Sequence, residues 1–230
     1  MKREEYEKAI DGFVEIIRLL EATDERRTLT GEFVNVFRLW NEFSGITEPI
    51  HSKILAFLLS SNSMHGQGNL FLNLFLKRIG IESHIEDEWI VTAEKGRVDV
   101  LLKRYHPRSV VIIENKSNWA GDQPNQLYRY WYQNIHCVDE DCKNDYYLRH
   151  PEYKIVYLIP DEGKTLSDDS LSKPSDYPID LPDILPIAPI NMDFKHDIVD
   201  WLAECILSLP TENTPLKNLI TQYKQYCKCL

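Results

Sequence analysis

Asp99, Glu114 and Lys116 stand where a globular chain has little packing reason to place charge. Asp99 interrupts the run Val98-Asp99-Val100-Leu101-Leu102, and Glu114 and Lys116 close the run Val110-Val111-Ile112-Ile113-Glu114-Asn115-Lys116. Side chains alternate along a strand, so Val98, Val100 and Leu102 point one way and Asp99 the other, beside Leu101. By the same rule Ile112, Glu114 and Lys116 share a face. Both runs are rich enough in Val, Ile and Leu to be buried strands. A charge buried there is costly unless it is paired, hydrogen-bonded or bound to a metal. The plainer reading is the polar end of an edge strand with an ordinary ion pair. The order of parts weighs against it: an acid on one strand, Glu-x-Lys on the next, then a helix bearing Gln123, Gln126 and Tyr130.

The elements that must position these groups follow from periodicity. Strands are predicted over Trp89–Thr92, Arg97–Lys103 and Val110–Asn115. Their connections, Lys95-Gly96 and His106-Pro107-Arg108, are short enough for a meander. Ser117 to Asp122 then leads to a helix predicted over Gln123–Ile135, with Asp122 as its cap and Pro124 in its first turn. Gln126 and Tyr130 are four apart and face the same way. An amide facing the strand acids has no packing reason to be there, whereas Trp131 reads as core. A fourth strand is predicted over Tyr153–Ile159, and a fifth over Ile187–Ile190, at an edge because of Pro189. Leu166 to Leu185, rich in Ser, Asp and Pro, is expected to be a long loop without regular structure.

Helices are expected on both sides of this block. Upstream they cover Glu4–Leu20, Glu32–Phe43, Glu48–Leu59 (capped by Thr47 or Ser44, with Pro49 in the first turn) and Leu70–Ile79. Downstream they cover Phe194–Leu209, capped by Asp193, and Pro215–Cys227. Glu48 and His51 lie three apart on one helix face. Glu48 divides evenly between a site acid and an acid that favours a helix N-terminus, and His51 reads first as structural. His65-Gly66-Gln67-Gly68 lacks the Lys-Ser/Thr of a phosphate-binding loop and reads as a turn. Periodicity alone gives α/β or α+β.

Together these residues resemble the PD-(D/E)XK, or restriction-endonuclease-like, nuclease superfamily. Asp99 matches the first acid, Glu114 the second and Lys116 the lysine. Gln126-Leu127-Tyr128-Arg129-Tyr130 is similar to the Gln-x-x-x-Tyr signature of its exonuclease-related branch. Glu48-Pro49-Ile50-His51-Ser52 and Glu114-Asn115-Lys116 resemble a bacterial subfamily with Glu-x-x-His-Ser and Glu-Asn-Lys motifs. Val98 stands where the name of the superfamily has proline. The likeness runs from about Phe33 into the C-terminal helices.

The resemblance implies a three-layer α/β core, α-β-β-β-α-β, with a central mixed sheet flanked by helices and extra N- and C-terminal helices. One domain is expected over 1–230: a helical extension to 43, a core over 44–209 and a terminal helix over 210–230. It also implies metal-dependent phosphodiester hydrolysis, with Asp99, Glu114, Glu48 and the Asn115 carbonyl holding Mg²⁺ or Mn²⁺. Lys116, Gln126 and Tyr130 would join the acids in catalysis. Arg97, Gln123, Gln126, Arg129 and Tyr130 would meet nucleic acid, DNA first. A homodimer is allowed. Two other readings stay open: a binding module of this fold that has lost cleavage, and a hydrolase of small phosphoesters.

Composition bounds the rest. No apolar run reaches the roughly 18 residues of a membrane span, and Met1-Lys2-Arg3-Glu4-Glu5 opens no signal peptide, so a cytoplasmic protein is expected. Five scattered cysteines argue against a disulfide framework. His136, Cys137, Cys142 and His150 match no common zinc spacing. The net charge of −10 runs against binding a polyanion. A local basic stripe offsets it if Arg97, Lys103, Arg104, Lys116 and Arg129 gather at the site.

Overall fold

The computed structural model describes residues 34–137 and 152–230, with residues 14, 15, 17–19, 21–23, 26 and 31. Most of the helix expected over 4–20, and all of the segment 138–151, lie outside the described residues. The chain divides into two compact units, Met1–Phe43 and Ser44–Leu230. Helix α1 (Val36–Ser44), all but its last residue in the first unit, starts four residues later than the spacing predicts. The Asn35 side-chain carbonyl accepts hydrogen bonds from the Phe37 and Arg38 amides at 3.0 and 3.2 Å, which sets that start.

The second unit is built on a five-stranded sheet in the order β1-β2-β3-β4-β5. Its strands are β1 (Trp89–Lys95), β2 (Val98–Tyr105), β3 (Arg108–Asn115), β4 (Tyr153–Ile159) and β5 (Ile190–Asp193). The first three pair antiparallel as the expected meander; β4 and β5 join parallel to β3. The sheet is therefore mixed, and β3 is the strand where the pairing sense changes. β3 is buried from Ser109 to Asn115.

Helices cover both faces of the sheet. Helix α2 (Glu48–Leu59) packs on β1, β2 and β3, and α3 (Leu70–Arg78) lies beside it. On the other face, Leu101, Ile112, Ile155 and Tyr157 form one apolar cluster with Leu127, Tyr128, Tyr130 and Trp131. Those four belong to α4 (Gln126–Trp131), which runs on as a π turn over Tyr132–His136. After β4 comes a short helix, α5 (Asp168–Leu171); after β5, a π turn over Phe194–Ile198, then α6 (Val199–Ser208) and α7 (Thr214–Cys227). This is the expected α/β architecture. No helix among the described residues is long and apolar enough to cross a membrane.

Four local expectations are corrected. The fifth strand begins at Ile190, where Pro189 ends, because proline offers no amide to the ladder. The stretch expected to lack regular structure carries α5 and a bridge from Ser172 to Ile184. Helix α4 begins at Gln126 rather than Gln123, and Asp122 does not cap it. Asp122 instead accepts hydrogen bonds from the Tyr157 hydroxyl and the Ser167 amide, both at 2.8 Å. Asp193 does cap the turn that follows β5, accepting from the His196 amide at 2.6 Å.

Arg104 is the fourth correction. It sits at the far end of β2, 4% exposed, bonded to Asp87, to the Pro107 carbonyl and to Ser109. Its guanidinium lies over the Trp89 ring, 4.8 Å from the centroid. Truncating one partner of a buried ion pair leaves the other charge stranded. Asp87→Ala should therefore lower the urea-unfolding free energy by about 3 kcal/mol, and adding Arg104→Met should return part of that loss.

Candidate active site

The register of β2 against β3 pairs Val100 with Ile113; continued by one residue, it sets Asp99 opposite Glu114. Cross-strand neighbours share a face, so both carboxyls leave the sheet on the α4 side. They lie on a cleft of about 380 Å³ that is also lined by Glu48, Arg97, Lys116, Gln123, Gln126, Arg129 and Tyr130. Glu114, Lys116, Gln126 and Tyr130 are buried, whereas Arg97, Gln123 and Gln133 are exposed at the rim. The structure thus brings together every residue singled out for the site except Asn115 and His51, which do not line the cleft.

Lys116 is the most heavily contacted group. Its Nζ lies 2.7 Å from a Glu114 carboxylate oxygen, 3.1 Å from the Gln126 side-chain carbonyl and 3.4 Å from the Gly121 carbonyl. Asp122 stands 3.9 Å away. Gln126 in turn donates to the Tyr130 hydroxyl at 3.0 Å, and Tyr130 donates to the Arg97 carbonyl. A single hydrogen-bonded chain therefore links the ammonium, the helix and the turn that carries Arg97. The Gln-x-x-x-Tyr spacing puts both side chains on one helix face, which makes this chain possible.

Asp99 accepts a hydrogen bond from the Asn115 amide at 2.6 Å. Burial pushes its carboxyl above the ordinary carboxylate range; that amide opposes the shift, and the charges of Glu94 and Glu48 add to it. Glu114 is pushed up further, first by burial and then by the charge of Asp99, with Lys116 opposing. The other Glu114 oxygen, Oε2, is buried and has no hydrogen-bond partner. An unpartnered carboxylate oxygen beside a second carboxylate is a poor resting place for a proton-free pair. It is a suitable donor set for a hard divalent cation, which takes oxygen ligands.

The Glu-x-x-His-Ser segment works differently from what its spacing suggests. One Glu48 carboxylate oxygen accepts from the backbone amides of Asn118 and Ala120, at 3.2 and 3.4 Å. The Asn115 side chain donates to the Glu48 carbonyl at 2.9 Å and to the Ser52 hydroxyl at 3.0 Å. It also accepts from the Ser117 amide at 3.0 Å. Helix α2 is thus fastened to the end of β3. Ser52, Asn118, Gly121, Asp122 and Gln133 were not distinguishable as site residues by sequence. Only contacts between segments distant in the sequence give them away, apart from Gly121 and Asp122, which follow soon after the Glu-Asn-Lys tripeptide.

His51 is turned away from the cleft. Its Nδ1 lies 2.8 Å from the Tyr223 hydroxyl on α7, and its ring is packed among Phe194, Tyr223 and Tyr226. Lys103 and Arg104 do not line the cleft either, so its cations are Arg97, Lys116 and Arg129. Of the four residues weighed for zinc, Cys142 and His150 lie outside the described residues. A different group, Glu162, Asp193 and His196, places three potential ligand atoms within 4.8 Å of one another. There Asp193 is already engaged as a cap and lies 3.1 Å from the His196 ring nitrogen.

A mixed α/β sheet carrying two carboxyls and a lysine at its central strands defines a restriction-endonuclease-like protein. A family model of the PD-(D/E)XK nuclease superfamily matches residues 34–225, and the chain belongs to that superfamily. No curated protein and no solved structure gave a match. Membership points to a nuclease.

Burial lowers the His51 pKa from 6.5 to about 4. As pH falls below about 6.5 the unfolded chain takes up this proton and the folded one does not. Stability present above that pH is therefore lost progressively towards pH 4, by up to about 3 kcal/mol. Urea unfolding should show a loss between pH 7.5 and 4.5 that is smaller in His51→Gln, which keeps a partner for Tyr223 but does not titrate.

Proposed function

We propose that the chain is a metal-dependent nuclease that hydrolyses phosphodiester bonds of nucleic acid, with DNA as the proposed polymer. The observation that carries this reading is buried Glu114, in contact with Lys116 through one oxygen and orphaned at the other, beside the half-buried Asp99. Asp99 and Glu114 would hold Mg²⁺ or Mn²⁺, with the Asn115 carbonyl as a third protein ligand. Glu48 stands on the same cleft and would add its charge directly or through water. When bound, such an ion polarises the phosphate and lowers the pKa of water.

The chain's own residues supply the rest. Lys116 presents a cation beside the acids, fixed by Glu114 and Gln126, where it can orient water or stabilise charge that develops on the phosphate. Gln126 and Tyr130 act by holding that ammonium and the Arg97 turn in place. Arg97, Gln123 and Arg129 would contact the phosphate backbone, with Gln133 a further contact on the same rim. The exposed rim over a buried floor favours a polymer threading past the site over a closed small-phosphoester pocket. The net charge of −10 includes the acids of the site itself, so it does not measure the rim.

Wild-type protein should cleave single- or double-stranded DNA or RNA only with Mg²⁺ or Mn²⁺. Lys116→Ala should lower the rate by at least about a hundredfold. Asp99→Asn should lower the rate and also weaken metal binding measured by calorimetry. Cleavage that survives in Lys116→Ala would sink the assignment. Binding of nucleic acid without cleavage under any metal would favour the inactive module.

A further inference from the structure

Trp119 is an aromatic side chain that neither the fold nor the proposed chemistry uses. It lies in the loop between Lys116 and the helix bearing Gln126, one residue before Ala120 and Gly121, which line the cleft. Half of its surface is exposed. Its backbone is left-handed, with φ 62°, a conformation that costs a bulky residue roughly 1 to 3 kcal/mol and clusters at functional sites.

The loop is built to keep the indole there. The amides on either side of Trp119, those of Asn118 and Ala120, both donate to the same Glu48 oxygen. The Trp119 amide donates to the Lys116 carbonyl at 3.0 Å. The six-membered ring lies against Gly163, where an added Cβ would stand 3.2 Å from Cη2. The indole is therefore held at its base and along one edge, with half of its surface exposed; Trp119 does not itself line the cleft, but the next two residues of its loop, Ala120 and Gly121, do.

We propose that Trp119 is a stacking platform for an unpaired nucleobase next to the phosphate in the cleft. The substrate class this implies is single-stranded nucleic acid, or a duplex with a frayed or unpaired end. A half-exposed aromatic offers a π face to any base, and a base that stays paired inside a duplex has no free face to give it. The inference rests on the nuclease reading and narrows its substrate.

The test is fluorescence anisotropy of labelled oligonucleotides in Ca²⁺, alongside cleavage in Mg²⁺ or Mn²⁺. Wild type, Trp119→Phe and Trp119→Ala are compared on a single strand, a blunt duplex, and single strands carrying one abasic residue at successive positions. Trp119→Ala should weaken single-strand binding about tenfold, and Trp119→Phe much less. One abasic position should cause the same loss in wild type and no further loss in Trp119→Ala. Unchanged single-strand binding by Trp119→Ala, with wild type still binding and cleaving, overturns the stacking role and leaves the nuclease reading standing. A wild type that neither binds nor cleaves any of these polymers overturns both.

Discussion

Glu114 is the last residue but one of the central strand of the sheet, 2% exposed, with Lys116 2.7 Å away and Asp99 across the ladder. Two neighbouring acids, one buried and the other half-buried, cannot both ionise cheaply. The Lys116 ammonium offsets one of the two charges and no more. The fold therefore presents an acid-rich pocket at the end of its central strands. Most of what surrounds the cleft can be understood as keeping that arrangement from relaxing. A lysine on a flexible stem would otherwise swing to solvent, and the Asp99 carboxyl would turn away from Glu114.

Two fastenings prevent this, and each comes from a different face of the sheet. From the α4 face, Gln126 bonds Lys116 and passes the constraint through Tyr130 to the Arg97 carbonyl. From the α2 face, Ser52 and the Glu48 carbonyl hold the Asn115 side chain, while the Asn115 amide holds Asp99. Asn115 thus ties an acid on β2 to a helix that precedes it by more than 40 residues. The tripeptide Glu114-Asn115-Lys116 carries three separate jobs: acid, tie and cation.

How much of this was legible follows from the range of each interaction. The strands around Asp99 and Glu114 declare themselves because alternation is local and the charges break it. Gln126 and Tyr130 declare themselves because helical spacing sets them on one face. Asp122 misled for the opposite reason. Its place before a proline and a helical run is that of a cap, yet Tyr157 and Ser167, 35 and 45 residues on, claim both of its oxygens. Arg104 misled likewise, since period-two alternation gives the face of a strand and not the end at which an ion pair will form. His51 and Ser52 lie side by side in one motif, but their partners, Tyr223 and Asn115, lie 172 and 63 residues further along the chain. No spacing rule separates a histidine that braces the terminal helix from a serine that braces the site.

The backbone carries the same constraint further. Glu94, Arg97, Trp119 and Asn125 are the non-glycine residues with positive φ among those described. Arg97 lines the cleft, and Trp119 and Asn125 lie on the segment that joins Lys116 to Gln126. Such conformations persist only where the surroundings over-determine them. The surroundings do so here: Tyr130 holds the Arg97 carbonyl, Glu48 holds the amides on both sides of Trp119, and the Asn125 amide and side chain bond the carbonyls of Asp169 and Ser172 at 2.8 and 2.7 Å. A loop free to relax would lose these strained states first. That they are pinned from three different elements means the residues around the cleft are positioned before any ligand arrives, so binding need not supply the ordering energy itself.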